Sequence, residues 1–212
     1  MDVIKLTLSP LETNCYIVKT GENSGVVIDP ADDADIILAA ASEKDIELKK
    51  ILLTHGHFDH TGAAAALKEQ LGIPLYIHKG DEGMLSDSNK ALAYFCPGKP
   101  YNAVKADFLL NDGDKVEQDG VSFRVMHTPG HSAGSVCYIV DIADGLNLMF
   151  AGDTIFKDSI GRSDTYSGDY SVQRQTLDKL KNLEEDYLIY PGHGPSTTLK
   201  EEKRFNPFIA DF

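Results

Sequence analysis

The sequence has few basic residues and a large excess of acidic ones. Among its 212 residues, 20 are Lys or Arg and 33 are Asp or Glu, which gives a formal net charge of -13 at pH 7. A negative field of that size repels nucleic-acid phosphates and anionic lipid headgroups, and no basic run exceeds a pair of residues. We therefore do not expect a nucleic-acid or membrane partner. We expect the substrate to be a small molecule.

Cysteine is also scarce, and long apolar segments are absent. Cys15, Cys96 and Cys137 are far apart and form no Cys-x-x-Cys pair, so a disulfide framework is not expected and a reducing compartment fits better. Apolar runs such as Val136–Val140 are much shorter than a membrane-spanning helix. The segment Met1–Val18 lacks the basic and apolar regions of a secretory signal. These features predict a cytoplasmic protein.

Strand-type and helix-type segments recur in two passes along the chain, each with strands first and helices after. The predicted strands are Val3–Leu8, Asn14–Val18, Gly25–Asp29, Lys50–Thr54, Leu75–His78, Lys115–Glu117, Val121–His127, Ser135–Val140, Leu146–Phe150 and Tyr187–Tyr190. The first predicted helix begins at about Asp33. Three more span Thr61–Leu71, Gln173–Leu183 and Thr197–Arg204, and a short one lies near Glu82. Two packed sheets with helices outside them would bury such segments. Since no linker is evident, residues 1–212 are predicted to form a single domain.

The main chemical signal is a cluster of histidines directly after one of the predicted strands. Residues 54–60 read Thr-His-Gly-His-Phe-Asp-His. In an extended segment, residues i and i+2 face the same way, so His55 and His57 can converge on one metal ion. Asp59 and His60 are adjacent and face different ways, which suits a second ion beside the first. Because zinc prefers imidazole nitrogen and carboxylate oxygen, the cluster predicts a metal site.

Two side chains for each ion are too few, so further ligands must come from elsewhere in the chain. Three candidates, His131, Asp153 and His193, lie in glycine-containing loops that follow predicted strands. Each is a weak candidate alone, because glycine-rich turns often carry single polar residues. As a set they complete the first cluster, and small neighbouring residues allow the backbone to approach an ion closely.

In these stretches the sequence resembles the metallo-β-lactamase-fold hydrolases, and within them glyoxalase II and its short bacterial relatives. The matching segments are Thr54–His60, Thr128–Ser135, Ala151–Asp164 and Tyr190–Pro195, in the order that the family shows. They extend across most of the chain. The resemblance implies an α+β fold, an αββα sandwich in which two mixed β-sheets are flanked by helices, with a dinuclear metal site along one edge.

The same resemblance implies a role for each candidate residue. Asp153 would bridge the two ions, which agrees with the reach of a carboxylate across ions ~3.5–4 Å apart. Asp59 would also orient the attacking water, and Arg162 and Asp164 would orient ligands without binding metal. The ions would be divalent, with zinc expected first and iron or manganese as alternatives. The implied ligands are His55, His57 and His131 for one ion and Asp59, His60 and His193 for the other.

The activity that this resemblance implies is hydrolysis of a thioester or an ester, as in hydroxyacylglutathione hydrolases. Metal binding lowers the pKa of water to about 7, so a hydroxide is available to attack the substrate carbonyl. A thiolate leaves unaided because thiol pKa values lie near 8.5, whereas an amine must first be protonated. No spare proton donor is evident, which favours thioesters and esters over amides.

Other functions of the same fold stay open. Persulfide dioxygenases carry a similar Gly-Arg-Thr-Asp-type stretch but hold one iron with two histidines and an aspartate, whereas lactonases share all seven ligands. A non-catalytic metal-binding scaffold is a further alternative. True β-lactamases are disfavoured because they usually lack the bridging aspartate, and nucleases are disfavoured by the net charge.

Two departures from glyoxalase II concern the substrate. Full-length glyoxalase II enzymes carry a helical C-terminal domain with glutathione contacts, whereas here only Gly194–Phe212 follow the last candidate ligand. In addition, Thr165 and Tyr166 stand where short relatives usually have Phe-Pro, in the expected pocket wall. Glutathione thioester is the substrate that the family resemblance suggests first, but the residues of this chain do not themselves indicate it. The sequence makes no prediction of oligomeric state.

Overall fold

The computed structural model, which describes residues 1–143 and 145–210, contains two six-stranded β-sheets. In each sheet, strands that are consecutive in the chain are also neighbours in space. The strands of the first sheet are β1 (Val3–Leu8), β2 (Thr13–Lys19), β3 (Ser24–Ile28), β4 (Glu47–Leu52), β5 (Leu75–His78) and β6 (Phe108–Leu110). Those of the second are β7 (Lys115–Gln118), β8 (Val121–His127), β9 (Val136–Val140), β10 (Asn147–Gly152), β11 (Tyr187–Pro191) and β12 (Thr197–Thr198).

Both sheets combine parallel and antiparallel pairs. In the first sheet β1, β2 and β3 pair antiparallel, and the remaining pairs are parallel. In the second sheet only β10 and β11 are parallel. The expected arrangement of two mixed sheets flanked by helices is therefore confirmed.

In the described part of the chain, five α-helices accompany the sheets. They are α1 (Ala34–Glu43), α2 (Phe58–Thr61), α3 (Ala64–Leu71), α4 (Tyr170–Lys181) and α5 (Leu199–Phe205), and two 3-10 helices span Lys79–Ser86 and Ala93–Phe95. Ile37 of α1 and Leu67 of α3 pack on the outer face of the first sheet. Leu180 of α4 and Leu199 of α5 pack on the outer face of the second. Within the described ranges, no helix has the length and apolar character needed to cross a membrane.

The alternation of side chains along the strands explains this layering. On β2, Tyr16 and Val18 face the space between the sheets, where they pack with Phe123 and Phe150 of the second sheet. Ile17 belongs to the core under α1 and α3 instead. Because successive residues of a strand point to opposite faces, a strand that is apolar throughout can bury both faces, one against each layer.

Several elements differ from the predictions. Thr197 and Thr198, predicted as the start of the last helix, form strand β12, and α5 begins at Leu199. The predicted helix Thr61–Leu71 is divided, because α2 ends at Thr61 and α3 begins at Ala64. At the break, a Cβ on Gly62 would lie 2.3 Å from the Ala31 carbonyl oxygen, so glycine at this position allows the loop that contains Ala31 to pack closely against the break. Strand β6 was not predicted, since it has only three residues and Phe108 and Leu109 are exposed at the sheet edge.

The loops that carry the candidate ligands follow β4, β8, β10 and β11. Hydrogen bonds join the two sheets where these strands end: Val136 N donates to Thr54 O at 2.9 Å, and Asn14 N donates to Gly192 O at 2.7 Å. The hydroxyl of Tyr138 also donates to Leu53 O at 2.9 Å. The loops of both sheets are therefore held at a common edge.

Candidate metal centre

Three of the candidate histidines form a first group, which we call group A: His55, His57 and His131. Their ligand atoms all lie within 4.8 Å of one another. His131 Nε2 lies 3.2 Å from His55 Nε2 and 2.9 Å from His57 Nδ1. All three side chains are buried. The expected convergence of His55 and His57 therefore occurs, and the loop after β8 adds the third ring nitrogen.

A second group, group B, consists of Asp59, His60 and His193, whose ligand atoms also lie within 4.8 Å of one another. Asp59 Oδ2 is 3.6 Å from His60 Nε2 and 3.4 Å from His193 Nε2. The short helix α2, which begins directly after His57, carries Asp59 and His60, and the ring of His60 lies 4.1 Å from that of His55 between centroids, so the two groups are adjacent. The loop after β11 supplies His193 from the other sheet.

Asp153 lies between the two groups and contacts both. Its Oδ2 is 3.5 Å from His131 Nε2 of group A and 3.5 Å from His193 Nε2 of group B. Its Oδ1 is 3.3 Å from His60 Nε2. All seven side chains that the sequence nominated as metal ligands are thus brought together, with a carboxylate in the middle.

The donor atoms of this cluster fit divalent metal ions. His60 Nε2 and Asp153 Oδ1 are buried and have no hydrogen-bond partner. Leaving a buried polar atom unpaired costs about 1–3 kcal/mol, so such atoms call for a ligand. Convergent imidazole nitrogens and carboxylate oxygens are the donors that zinc and other divalent transition metals accept.

The protonation equilibria of the cluster agree with this fit. Burial, reinforced by the neighbouring imidazoles, lowers the pKa of His55 well below its usual range and that of His57 to about 3, so both rings are neutral. Burial raises the pKa of Asp59, but the charges of His60 and His193 outweigh it and hold the pKa at about 2. The same balance holds the pKa of Asp153 well below its usual range. Burial opposes protonation of His60 and His193, but the neighbouring carboxylates outweigh it and raise the pKa of both rings, that of His193 to about 9, so a divalent cation bound here would displace their protons.

Oxygen acceptors behind the rings orient the Nε2 atoms toward the centre. His60 Nδ1 lies 2.9 Å from Asp29 Oδ2, His131 Nδ1 lies 2.6 Å from the Arg162 carbonyl oxygen, and His193 Nδ1 lies 3.0 Å from the Leu11 carbonyl oxygen. An Nδ1–H that donates to oxygen fixes both the tautomer and the ring orientation. The Nε2 atoms of these three rings therefore face Asp153.

Asp29 is a supporting residue that the sequence reasoning missed. It is 2% exposed and accepts hydrogen bonds from Thr54 N at 2.7 Å and Thr54 Oγ1 at 2.6 Å, besides its contact with His60. Both carboxylate oxygens of Asp29 thus contact Thr54 or His60. The available signal was a carboxylate that directly follows an apolar strand and precedes Pro30.

Arg162 and Asp164 were predicted to orient ligands. The structure places the main-chain oxygen of Arg162 against His131, as given above. The side chain of Arg162 binds Asp164 through two hydrogen bonds of 2.7 and 2.9 Å. Both side chains are more than half exposed, and the Arg162 pair lowers the pKa of Asp164 to about 2. The contact with a candidate ligand therefore comes from the backbone of Arg162.

A cavity of about 350 Å³ opens over the cluster. Four apolar side chains line it, namely Leu11, Leu92, Phe95 and Phe156. Arg162 is a further lining residue, and its guanidinium carbon lies 5.6 Å from the centre of the Phe95 ring. Five of the seven candidate ligands, namely His57, Asp59, His131, Asp153 and His193, thus line a cavity whose remaining wall is mainly apolar.

Gly192 provides a test of how closely Asp153 is confined. A Cβ at this position would lie 2.1 Å from Asp153 Oδ1 and 2.7 Å from His60 Cε1. We expect Gly192→Ala to displace the Asp153 carboxylate, to cost about 1–3 kcal/mol of folding free energy, and to lower the metal bound per chain. Elemental analysis and denaturant unfolding measure both effects. Gly83→Ala is the control, because the nearest atom to its Cβ is 3.8 Å away. Full metal content in Gly192→Ala would contradict this prediction.

Comparison with known proteins gives consistent matches. The model of the metallo-β-lactamase superfamily matches residues 8–193. Hydroxyacylglutathione hydrolase GloC of Haemophilus influenzae is 33% identical over 213 residues, covering 99% of this chain and 98% of that protein.

Solved structures agree in fold. BLEG-1 B3 metallo-β-lactamase has a TM-score of 0.91 and 33% identity, covering 99% of this chain and 100% of that one. TTHA1623 in a di-iron-bound form has a TM-score of 0.84 and 37% identity, covering 97% and 99%. ETHE1 from Myxococcus xanthus has a TM-score of 0.79 and 28% identity, covering 99% and 85%.

Proposed function

Because this chain belongs to the metallo-β-lactamase superfamily, we propose that it is a hydrolase that cleaves a thioester or an ester at a centre of two divalent metal ions. The placement of Asp153 between groups A and B is the observation that supports two ions most directly. The similarity to GloC supports thioesters as the substrate class. Zinc is the metal we propose, and the di-iron form of TTHA1623 makes iron the main alternative.

In this proposal the seven ligands hold the ions, and Asp59 also positions the water. When bound, the ions polarise the substrate carbonyl and lower the pKa of water to about 7. Asp59 lines the cavity, and its Oδ2 accepts a hydrogen bond from Thr13 Oγ1 at 2.9 Å. Oδ1 is then the atom that accepts a hydrogen bond from the attacking water. With a pKa of about 2, Asp59 stays ionised and acts as an acceptor across the neutral range.

The residues around the cavity favour thioesters over amides. Among the described residues that line it, each titratable side chain other than Arg162 is a candidate ligand. No acid is therefore left to protonate an amine as it leaves. A thiolate needs no such proton, because thiol pKa values lie near 8.5.

The apolar upper wall points to an apolar group next to the scissile bond. Phe95 is 46% exposed, which leaves much of its ring free to contact a substrate. The one cationic side chain in the lining, Arg162, already pairs with Asp164, so little positive charge is available for a polyanionic tail. We therefore propose that thioesters with apolar acyl or thiol groups are hydrolysed at least as well as glutathione thioesters.

Phe95 is the wall residue that tests this preference. Covering half of an aromatic ring is worth about 1 kcal/mol, so Phe95→Ala is expected to raise KM for a benzoyl thioester about fivefold while kcat changes little. Steady-state kinetics with N-acetylcysteamine and glutathione thioesters measure the effect. Phe108→Ala, which removes a similarly exposed ring from edge strand β6, is expected to leave KM unchanged. An unaltered KM in Phe95→Ala would remove the support for an apolar substrate group.

The proposed function itself is tested by elemental analysis of protein purified without added metal, together with a thioester assay. Two divalent ions per chain and thioester turnover support the proposal. A single iron with oxygen consumption on a persulfide, and no hydrolysis, would indicate a dioxygenase. Bound metal without turnover of thioesters, esters or lactones would indicate a scaffold.

β-Lactam hydrolysis is a second candidate, because the similarity to BLEG-1 B3 metallo-β-lactamase spans nearly the whole chain. The sequence reasoning disfavours it, since β-lactamases usually lack an aspartate at the position of Asp153. A chromogenic cephalosporin offered beside the thioesters separates the two activities. Turnover of the cephalosporin at a higher kcat/KM than any thioester would favour the β-lactamase.

A further inference from the structure

Asp81 is a buried carboxylate that the proposed mechanism does not use. It lies in the 3-10 helix Lys79–Ser86, directly after β5, and is 0% exposed. Burial raises the pKa of this group, and burying a carboxylate is costly unless hydrogen bonds compensate. The hydrogen bonds that compensate this cost therefore indicate what the Asp81 carboxylate does in the structure.

The contacts of Asp81 all lie on the two loops that supply group A. Its Oδ2 accepts hydrogen bonds from Gly56 N at 3.0 Å and Ser132 Oγ at 2.6 Å, and its Oδ1 accepts one from Gly134 N at 2.7 Å. Gly56 stands between His55 and His57, and Ser132 directly follows His131. One carboxylate from a third part of the chain therefore fastens together the loops that carry the three ring nitrogens.

The surrounding backbone is packed closely around this carboxylate. A Cβ on Gly134 would lie 2.6 Å from both Asp81 Cγ and Asp81 Oδ1, so only glycine allows the loop after His131 to approach. Ser135 Oγ lies 2.7 Å from Ser132 Oγ and accepts from Ser132 N at 3.1 Å, which keeps the serine hydroxyl in place. The distance between the two loops is thus set at Asp81.

Asp29, the other supporting carboxylate, contacts both ligand groups. It lies against His60 of group B, and it also holds Thr54, whose Oγ1 is 3.1 Å from His55 Nδ1 of group A. The hydrogen bonds of Asp81, in contrast, go to Gly56, Ser132 and Gly134, which belong to the two loops of group A. We propose that Asp81 is a positioning residue that holds His55, His57 and His131 at metal-binding distance, and that it sets the metal affinity of group A without setting that of group B. This inference rests on the two-ion centre proposed above.

Chelator competition on the zinc-loaded protein tests the inference, because it resolves the release of each ion separately. We expect Asp81→Asn to weaken the binding of one ion about 10–100-fold and to leave the other within about twofold. Asp29→Asn, which alters contacts to both groups, is expected to weaken both ions. Glu82→Gln, an exposed neighbour on the same 3-10 helix, is the control and should release both ions as the wild type does.

Several outcomes would overturn the inference. Equal weakening of both ions by Asp81→Asn would indicate general loosening of the fold and would contradict a support that acts on group A alone. If circular dichroism shows that Asp81→Asn does not fold, Ser132→Ala is the second variant, because it removes a single one of the three hydrogen bonds to Asp81. It is expected to weaken the binding of one ion about fivefold. Unchanged ion binding in Ser132→Ala would then refute the positioning role of Asp81. Failure of the proposed function looks different: the wild type would bind two ions but hydrolyse no thioester, and the Asp81 result would stand.

Discussion

Asp153→Ala is expected to lower kcat for thioester hydrolysis by about 10³-fold or more. The substitution removes the carboxylate that lies 3.3 Å from His60 Nε2 and 3.5 Å from His131 Nε2 and His193 Nε2. Without it, the carboxylate that contacts both groups is lost, and the two ions of the proposed centre would lose their shared ligand. Metal centres contribute several kcal/mol to the stabilisation of a transition state, and each 1.36 kcal/mol is worth about a factor of ten in rate.

Steady-state kinetics in the presence of excess metal would measure this effect. Excess metal matters because it separates loss of the bridge from loss of occupancy. Asp178→Ala, which removes an exposed carboxylate from α4, is the matched control and should retain wild-type kcat. More than a tenth of the wild-type activity in Asp153→Ala would show that the bridge is dispensable.

Removal of the metal is expected to abolish hydrolysis and to lower Tm by roughly 8–16 °C. A ligand present at about 1,000 times its Kd stabilises the folded state by about 4 kcal/mol, and a chain of this size loses about 2–4 °C for each kcal/mol. The effect arises because the ligands come from loops of both sheets, so an ion that they hold joins segments that otherwise meet through a few hydrogen bonds.

Differential scanning calorimetry with and without a chelator measures the change in Tm. The same chelator saturated with zinc beforehand is the control, since it cannot extract metal. Activity and Tm should both return when zinc is added in excess. A Tm that does not respond to the chelator would mean that the seven side chains do not hold metal under these conditions.

The sequence was most informative where the signal was local. The apolar runs along β2 and its neighbours predict strands, and the spacing of His55 and His57 predicts their convergence. Both patterns depend on the geometry of a single segment. His131 and His193 gave a weaker signal, because each is a single polar residue beside a glycine in a loop after a strand, and they became candidates only as a set with the first cluster.

The supporting residues could not be predicted in this way. Asp29 and Asp81 each act on partners from distant parts of the chain, such as Thr54 for the former and Ser132 for the latter. Nothing in the sequence around an isolated aspartate indicates which loop will reach it. The cavity wall could not be predicted for a related reason. It includes Leu92, which has a φ of 62° and lies between β5 and β6, where the sequence has no periodic pattern to indicate which side chains face the site.

The order of the ligands along the chain has a consequence for biosynthesis. Four of the seven lie within residues 55–60, and the remaining three are supplied by the sheet that is made later. As the ribosome synthesises the chain, the early histidines emerge long before Asp153 and His193, so a nascent protein offers only part of each coordination sphere. If the proposed two-ion centre forms, its complete loading is therefore expected to be a late event, which follows translation of the second sheet and its docking onto the first.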